Sequence, residues 1–131
     1  MTDKELLDLA WQAREQSYSP YSRFAVGAAL ECADGTVYLG CNVEGASYGN
    51  TICAERTALV KAVSEGKRSF KRIAIVANSP DYTAPCGICR QMLYEFSPDM
   101  TVLCANAARE WTSVKLRELL PMGFSASSME K

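Results

Sequence analysis

The chain contains no histidine, so any metal site it builds must draw its ligands from cysteine thiolates and carboxylates. No stretch approaches the ~18 apolar residues of a membrane span. The first residues, MTDKELLDLAW, are acidic and amphipathic rather than basic with an apolar block behind, unlike an export signal. Neither sign of charge is in excess. With Lys+Arg 14 against Asp+Glu 15 and a net charge of −1, nothing predicts a surface that tracks nucleic-acid phosphates or an anionic membrane. Internal repeats, low-complexity tracts and linkers are also missing. What is there, 131 residues with 48% apolar and 22% charged, has the profile of one soluble domain spanning 1–131. The expectation is a cytoplasmic protein whose partners are small molecules or copies of itself.

Against that background the six cysteines stand out. Cys53 lies in Thr51-Ile52-Cys53-Ala54-Glu55-Arg56, and Cys86 and Cys89 lie in Ala84-Pro85-Cys86-Gly87-Ile88-Cys89-Arg90-Gln91. A Cys-x-x-Cys pair sets two thiolates one helical turn apart, able to share an ion, with Cys53 as a third ligand from elsewhere in the fold. Structural zinc sites are closed by four protein ligands, whereas catalytic sites leave a position for water or substrate. Glu55 adds a carboxylate two residues from a ligand, placed to handle protons. The remaining Cys32, Cys41 and Cys104 sit in apolar strand-like runs and read as buried thiols in a reducing compartment.

Thr2 and Glu5 form a capping-box pattern that predicts a helix to about Gln16, with Leu6, Leu9, Ala10 and Ala13 on one face. Strands are expected over 24–32 and 36–41, joined at Ala33-Asp34-Gly35, and Gly27 signals a close backbone approach or a bulge. After a loop over 42–50, a helix from about Cys53 to Ser64 carries Cys53 and Glu55 in its first turn. A strand at 72–77, a loop at 78–84, a helix at 85–96 and a strand at 101–105 follow. The end of the chain predicts an edge strand near 110–112 and a helix over 113–120, stopped by Pro121. This alternation is α/β.

Both cysteine segments open helices, where free N–H groups and the helix dipole favour thiolates. Three thiolates on a divalent zinc sum to −1, which works against acidifying a bound water unless a positive group compensates. Arg56 is the candidate, with a plain solvated helix arginine as the alternative. Two other readings of the cysteines stand beside the catalytic one. A structural zinc knuckle needs a fourth ligand, and a redox Cys86-x-x-Cys89 pair leaves Cys53-Ala54-Glu55 unexplained.

The pairing of Cys-Ala-Glu-Arg with Pro-Cys-x-x-Cys-Arg-Gln resembles the zinc-dependent cytidine deaminase superfamily. The runs Tyr18-Ser19-Pro20-Tyr21-Ser22-Arg23-Phe24-Ala25-Val26-Gly27 and Gly40-Cys41-Asn42-Val43-Glu44-Gly45-Ala46-Ser47-Tyr48-Gly49 extend the resemblance over nearly the whole chain, to the small homotetrameric type acting on free nucleosides. It implies a three-layer α/β/α fold with a mixed five-stranded sheet and helices on both faces. It also implies zinc on Cys53, Cys86 and Cys89, activating a water that attacks carbon 4 of cytosine, with Glu55 as the proton shuttle. The products are then uridine or deoxyuridine and ammonia, in pyrimidine salvage.

By the same resemblance the Ala54 N–H and the Ala84 carbonyl read the pyrimidine edge, and Phe24 packs on the base. Asn42 and Glu44 hold the ribose; on an extended segment they point the same way. Tyr48 and Phe124 are cross-subunit contacts that make the active site composite. Two segments depart from the family pattern: 106–109 lacks a glycine turn, and Met122-Gly123-Phe124 shifts the C-terminal aromatic. The alternatives are a deaminase of a blasticidin-type nucleoside antibiotic and a non-catalytic zinc-binding module. A nucleotide or polynucleotide substrate is disfavoured, because a phosphate wants clustered basic residues and those enzymes present histidine as first ligand.

Overall fold

The computed structural model describes residues 1–125 and Met129, the side chain of Tyr48 excepted. In chain order the elements are α1 (Asp3–Arg14), β1 (Val26–Cys32), β2 (Val37–Cys41), a 3-10 turn (Tyr48–Asn50), α2 (Ala54–Ser64), β3 (Phe70–Ala77), α3 (Gly87–Phe96), β4 (Thr101–Ala105), β5 (Trp111–Lys115) and α4 (Leu116–Leu119). The strands form one five-stranded sheet in the order β2-β1-β3-β4-β5. Only β3 and β4 run parallel, and the crossover between them carries α3, as a parallel pair requires. The sheet is therefore mixed, as the resemblance implied.

Successive strand residues face opposite sides, and that period builds two cores. On one side Leu6, Leu7 and Ala10 of α1 cover Ala29, Ala74, Val76, Leu103 and Ala105. On the other, Ala54, Ala58, Leu59 and Ala62 of α2 and Leu93 of α3 cover Ala28, Leu30, Ile73, Ile75, Val102 and Cys104. Two glycines set how closely the helices approach. A Cβ on Gly27 would lie 2.1 Å from the Ala10 carbonyl oxygen, and one on Gly40 2.3 Å from that of Ala54. Gly27 thus marks a close approach, while the sheet irregularity sits between Glu31 and Cys32. Gly40 seats the first turn of α2 directly on β2.

Several expectations need correction. Helix α1 ends at Arg14, two residues early, with Leu7 buried and Leu9 at the margin. The tail differs most: the strand runs to Lys115, pairing Val114 with Val102 and Thr112 with Cys104, and the helix is one turn long. Its residues alternate in burial, so ladder bonds and an inward Val114 outweigh the helical tendency of that stretch. Cys32 and Cys104 are buried as expected, but Cys41 is only half-buried. The turn at 106–109 needs no glycine, because Arg109 itself takes a left-handed φ of 64° and lays its guanidinium 4.5 Å from the Trp11 ring centroid.

A buried ion pair joins β1 to β3 and extends to the start of α1. Arg72 grips Glu31 through Nε (2.6 Å) and a second nitrogen (2.9 Å), and reaches Asp3 at 2.7 Å. Arg72 holds the Glu31 carboxyl below its ordinary value of 4.5. A depressed folded value means stability present above the unfolded value and lost as pH falls through the folded one. Glu31→Gln is expected to cost about 3 kcal/mol, the low end for breaking a buried pair because Asp3 still faces Arg72. Urea titrations at pH 7 and below 4.5 check this, since the difference between variant and parent should shrink in acid.

Candidate metal centre and substrate cleft

Helices α2 and α3 begin at the same place. Cys53 and Cys86 are their N-cap residues, both with extended backbone and neither using its side chain as a cap, so the sulfurs are free to turn elsewhere. They turn towards each other. Cys53 Sγ lies 3.7 Å from Cys86 Sγ, Cys86 Sγ lies 3.4 Å from Cys89 Sγ, and all three fall within 4.8 Å of one another. A tetrahedral ion with bonds of about 2.3 Å needs sulfurs about 3.8 Å apart. The cluster fits zinc in both spacing and donor type, and among the described residues it contains these three ligands and no fourth.

The electrostatics single out one thiol. Hydrogen bonding from Cys89, with Arg56 behind, lowers the Cys53 thiol to about 5. The same hydrogen bond, burial and the nearby negative groups drive Cys89 upward. Arg56 reaches Cys53 Sγ at 3.7 Å and the Thr51 carbonyl at 3.1 Å, so it faces the thiolates rather than solvent. Its Nε is buried without a partner among the described residues.

Glu55 sits in the first turn of α2, only 4% exposed. Burial pushes its carboxyl up to about 7, and the Cys53 charge adds to the rise. A carboxyl poised there can both hold and release a proton near neutrality.

These groups open onto a cleft of about 270 Å³ lined by Phe24, Asn42, Glu44, Cys53, Ala54, Glu55, Ala84 and Cys86, together with Ser22, Val26, Thr51 and Thr83. Ala54 is the first helical residue of α2, where the N–H has no acceptor within the helix. Asn42 and Glu44 flank Val43, which bridges to both Tyr18 and Ile52; the segment is extended and the two side chains share a face. Phe24 stands 43% exposed at the mouth. Two residues named from sequence lie apart from this group. Phe124 is 58% exposed and outside the cleft, its backbone clasped by the Gln91 amide, which donates to its carbonyl (2.6 Å) and accepts from its N–H (3.3 Å). Tyr48 opens the 3-10 turn, and its side chain lies outside the described residues.

Sequence reasoning passed over Ser22, Thr51 and Thr83 as cleft residues, since a lone hydroxyl in a polar loop carries no signal. It also gave no role to Arg90. That guanidinium bonds the Pro85 carbonyl (2.7 Å) and the Leu119 carbonyl (2.9 Å), tying the metal-bearing loop to the C-terminal segment.

A family model described as the cytidine and deoxycytidylate deaminase zinc-binding region matches residues 1–105. The cytidine deaminase of Sporosarcina psychrophila is 46% identical over 130 residues, 98% of this chain and 96% of that protein. That of Halalkalibacterium halodurans is 49% identical over 130 residues, 98% of each. The crystal structure of cytidine deaminase from Burkholderia pseudomallei superposes with a TM-score of 0.92 at 46% identity, covering 95% of this chain and 100% of that one.

Proposed function

Because the chain belongs to the cytidine and deoxycytidylate deaminase family of zinc-dependent hydrolases, we propose that it hydrolyses cytidine and 2'-deoxycytidine to uridine and 2'-deoxyuridine, releasing ammonia. The observation that carries this is the convergence of three cysteine sulfurs, with Cys53, Cys86 and the buried Glu55 carboxyl lining one cleft that has polar groups at its far end and Cys89 buried behind them. Cys53, Cys86 and Cys89 would hold a zinc ion, which when bound would supply the Lewis acidity that makes water a nucleophile at neutral pH. Glu55 takes a proton from the attacking water and passes it to ring nitrogen 3, while the new C–O bond forms at carbon 4. It then takes the remaining proton of the new carbon 4 hydroxyl and hands it to the departing amine as the C–N bond breaks and the carbonyl forms. Arg56 offsets the surplus negative charge of the thiolates. The Ala54 N–H and Ala84 carbonyl hold the pyrimidine edge, with Phe24 against its face.

The far end supports a sugar reading through hydrogen-bonding capacity. Asn42 Oδ1 already accepts from Ser17 Oγ and the Val26 N–H, and Asn42 Nδ2 donates to the Phe24 carbonyl; one N–H is left. Glu44 accepts from the N–H groups of Tyr21 and Ser22 on one oxygen and from Ser22 Oγ on the other, leaving one lone pair of about four. One donor and one acceptor suit a single hydroxyl. A site that reads one hydroxyl accommodates ribose and deoxyribose alike.

The test is loss of the cytosine ultraviolet band with zinc-loaded protein and cytidine or deoxycytidine, beside cytidine monophosphate and blasticidin S. Turnover of the free nucleosides alone is expected. Turnover of blasticidin S alone, or none despite one zinc per chain, would reject the proposal. Asn42→Ala removes the substrate bond and also the three bonds to Ser17, Val26 and Phe24, so it is expected to raise KM at least roughly tenfold and to lower the melting temperature as well.

The same reading assigns the protein to cytoplasmic pyrimidine salvage as a homotetramer with composite sites. The assembly part of that reading is supported by the exposed aromatic set of Tyr18, Tyr21, Phe24 and Phe124 and by the position of Phe124 outside its own chain's cleft. Among the described residues no helix is long and apolar enough to cross a membrane.

A further inference from the structure

Three of the acceptor positions of Glu44 are filled by one short loop. The Tyr21 N–H (3.0 Å) and Ser22 N–H (3.1 Å) both donate to Oε1, and the Ser22 hydroxyl donates to Oε2. The backbone turns through a left-handed Arg23, φ 59°, whose N–H bonds the Ser19 carbonyl. The Ser22 oxygen in turn accepts the Phe24 N–H at 3.0 Å. Because an ionised carboxylate only accepts, the hydroxyl proton is committed to Glu44. Ser22, a cleft residue, is thus bonded both to the Phe24 backbone N–H and to the Glu44 carboxylate. Among the described residues Oε2 is also the oxygen that retains a lone pair; the two backbone N–H groups hold Oε1, and the Ser22 hydroxyl is the group that holds Oε2 itself.

We propose that Ser22 is a positioning residue for sugar recognition: its hydroxyl aims the remaining lone pair of Glu44 into the cleft, where it meets the substrate's 3'-hydroxyl, one of the two that ribose and deoxyribose share. This rests on the assignment of Glu44 to the sugar. Cytidine and 3'-deoxycytidine are compared on the zinc-loaded full chain for the parent, Ser22→Ala and Ser22→Thr. The parent prefers cytidine. Ser22→Ala raises KM for cytidine about tenfold while kcat stays within about twofold, and changes kcat/KM for 3'-deoxycytidine far less, since that substrate lacks the 3'-hydroxyl whose bond to Glu44 would be lost. Ser22→Thr, which keeps the hydroxyl, restores the parent KM. Equal losses on both substrates would mean a general loosening of the Phe24 loop and overturn the proposal. So would a Ser22→Ala enzyme that discriminates as the parent does. A parent indifferent to the 3'-hydroxyl would overturn the assignment of Glu44, and this proposal with it.

Discussion

Glu55→Gln is expected to keep one zinc per chain and the native fold while losing turnover by about 10²–10⁴-fold, the range that a positioned acid–base group contributes. The replacement preserves shape and hydrogen-bonding reach but has no proton to accept or return. Glu55 is 4% exposed and its carboxyl lies near 7. The amide therefore relieves a desolvation cost instead of imposing one, and thermal stability should not fall. Metal content, melting temperature and the cytidine assay together decide the matter. Full activity in a zinc-replete variant would remove Glu55 from the mechanism, whereas lost zinc would make it a structural support of the metal.

Cys89→Ala is expected to hold well under one zinc per chain and to show no measurable turnover. Cys89 is wholly buried beneath Cys53 and Cys86, and its removal leaves two sulfurs and a void where the third donor pointed. Binding to the folded state alone contributes about 4 kcal/mol when free metal stands at a thousand times its dissociation constant. A chelator should therefore lower the melting temperature of the parent and leave that of Cys89→Ala unmoved. A variant that still carries one tightly held ion would show that the ligand set is wrong.

The motif residues were legible because metal chemistry restricts both residue type and spacing. A Cys-x-x-Cys pair at a helix start has few uses, and Cys-Ala-Glu places a carboxyl in the same turn as a thiolate. Strands β1, β3 and β4 were legible for a related reason: each is a short apolar run bounded by turn residues. The end of the chain was less so. Trp111–Lys115 carries no strong period of its own, and it becomes a strand because β4 offers an unpaired edge and a pocket for Val114. Leu7 and Leu9 changed places at the core for a similar reason, since the helical stripe predicts a face but the sheet beneath sets its rotation.

Sequence by itself picked out the three cysteines that cluster, the carboxyl beside them and the α/β alternation, because each depends on local chemistry or short-range periodicity. Tertiary structure decided what those groups face. Gly40 brings α2 down onto β2, α3 crosses back between parallel strands, and Cys53 thereby meets a pair 33 residues away. It also decided the protonation tendencies: burial raises Glu55, and the approach of Arg56 and Cys89 lowers Cys53. Finally it decided how much hydrogen-bonding capacity Asn42 and Glu44 retain, because the partners that fill the rest come from a loop some twenty residues upstream. Such capacities depend on which distant groups folding brings within about 3 Å, and no local pattern encodes that distance.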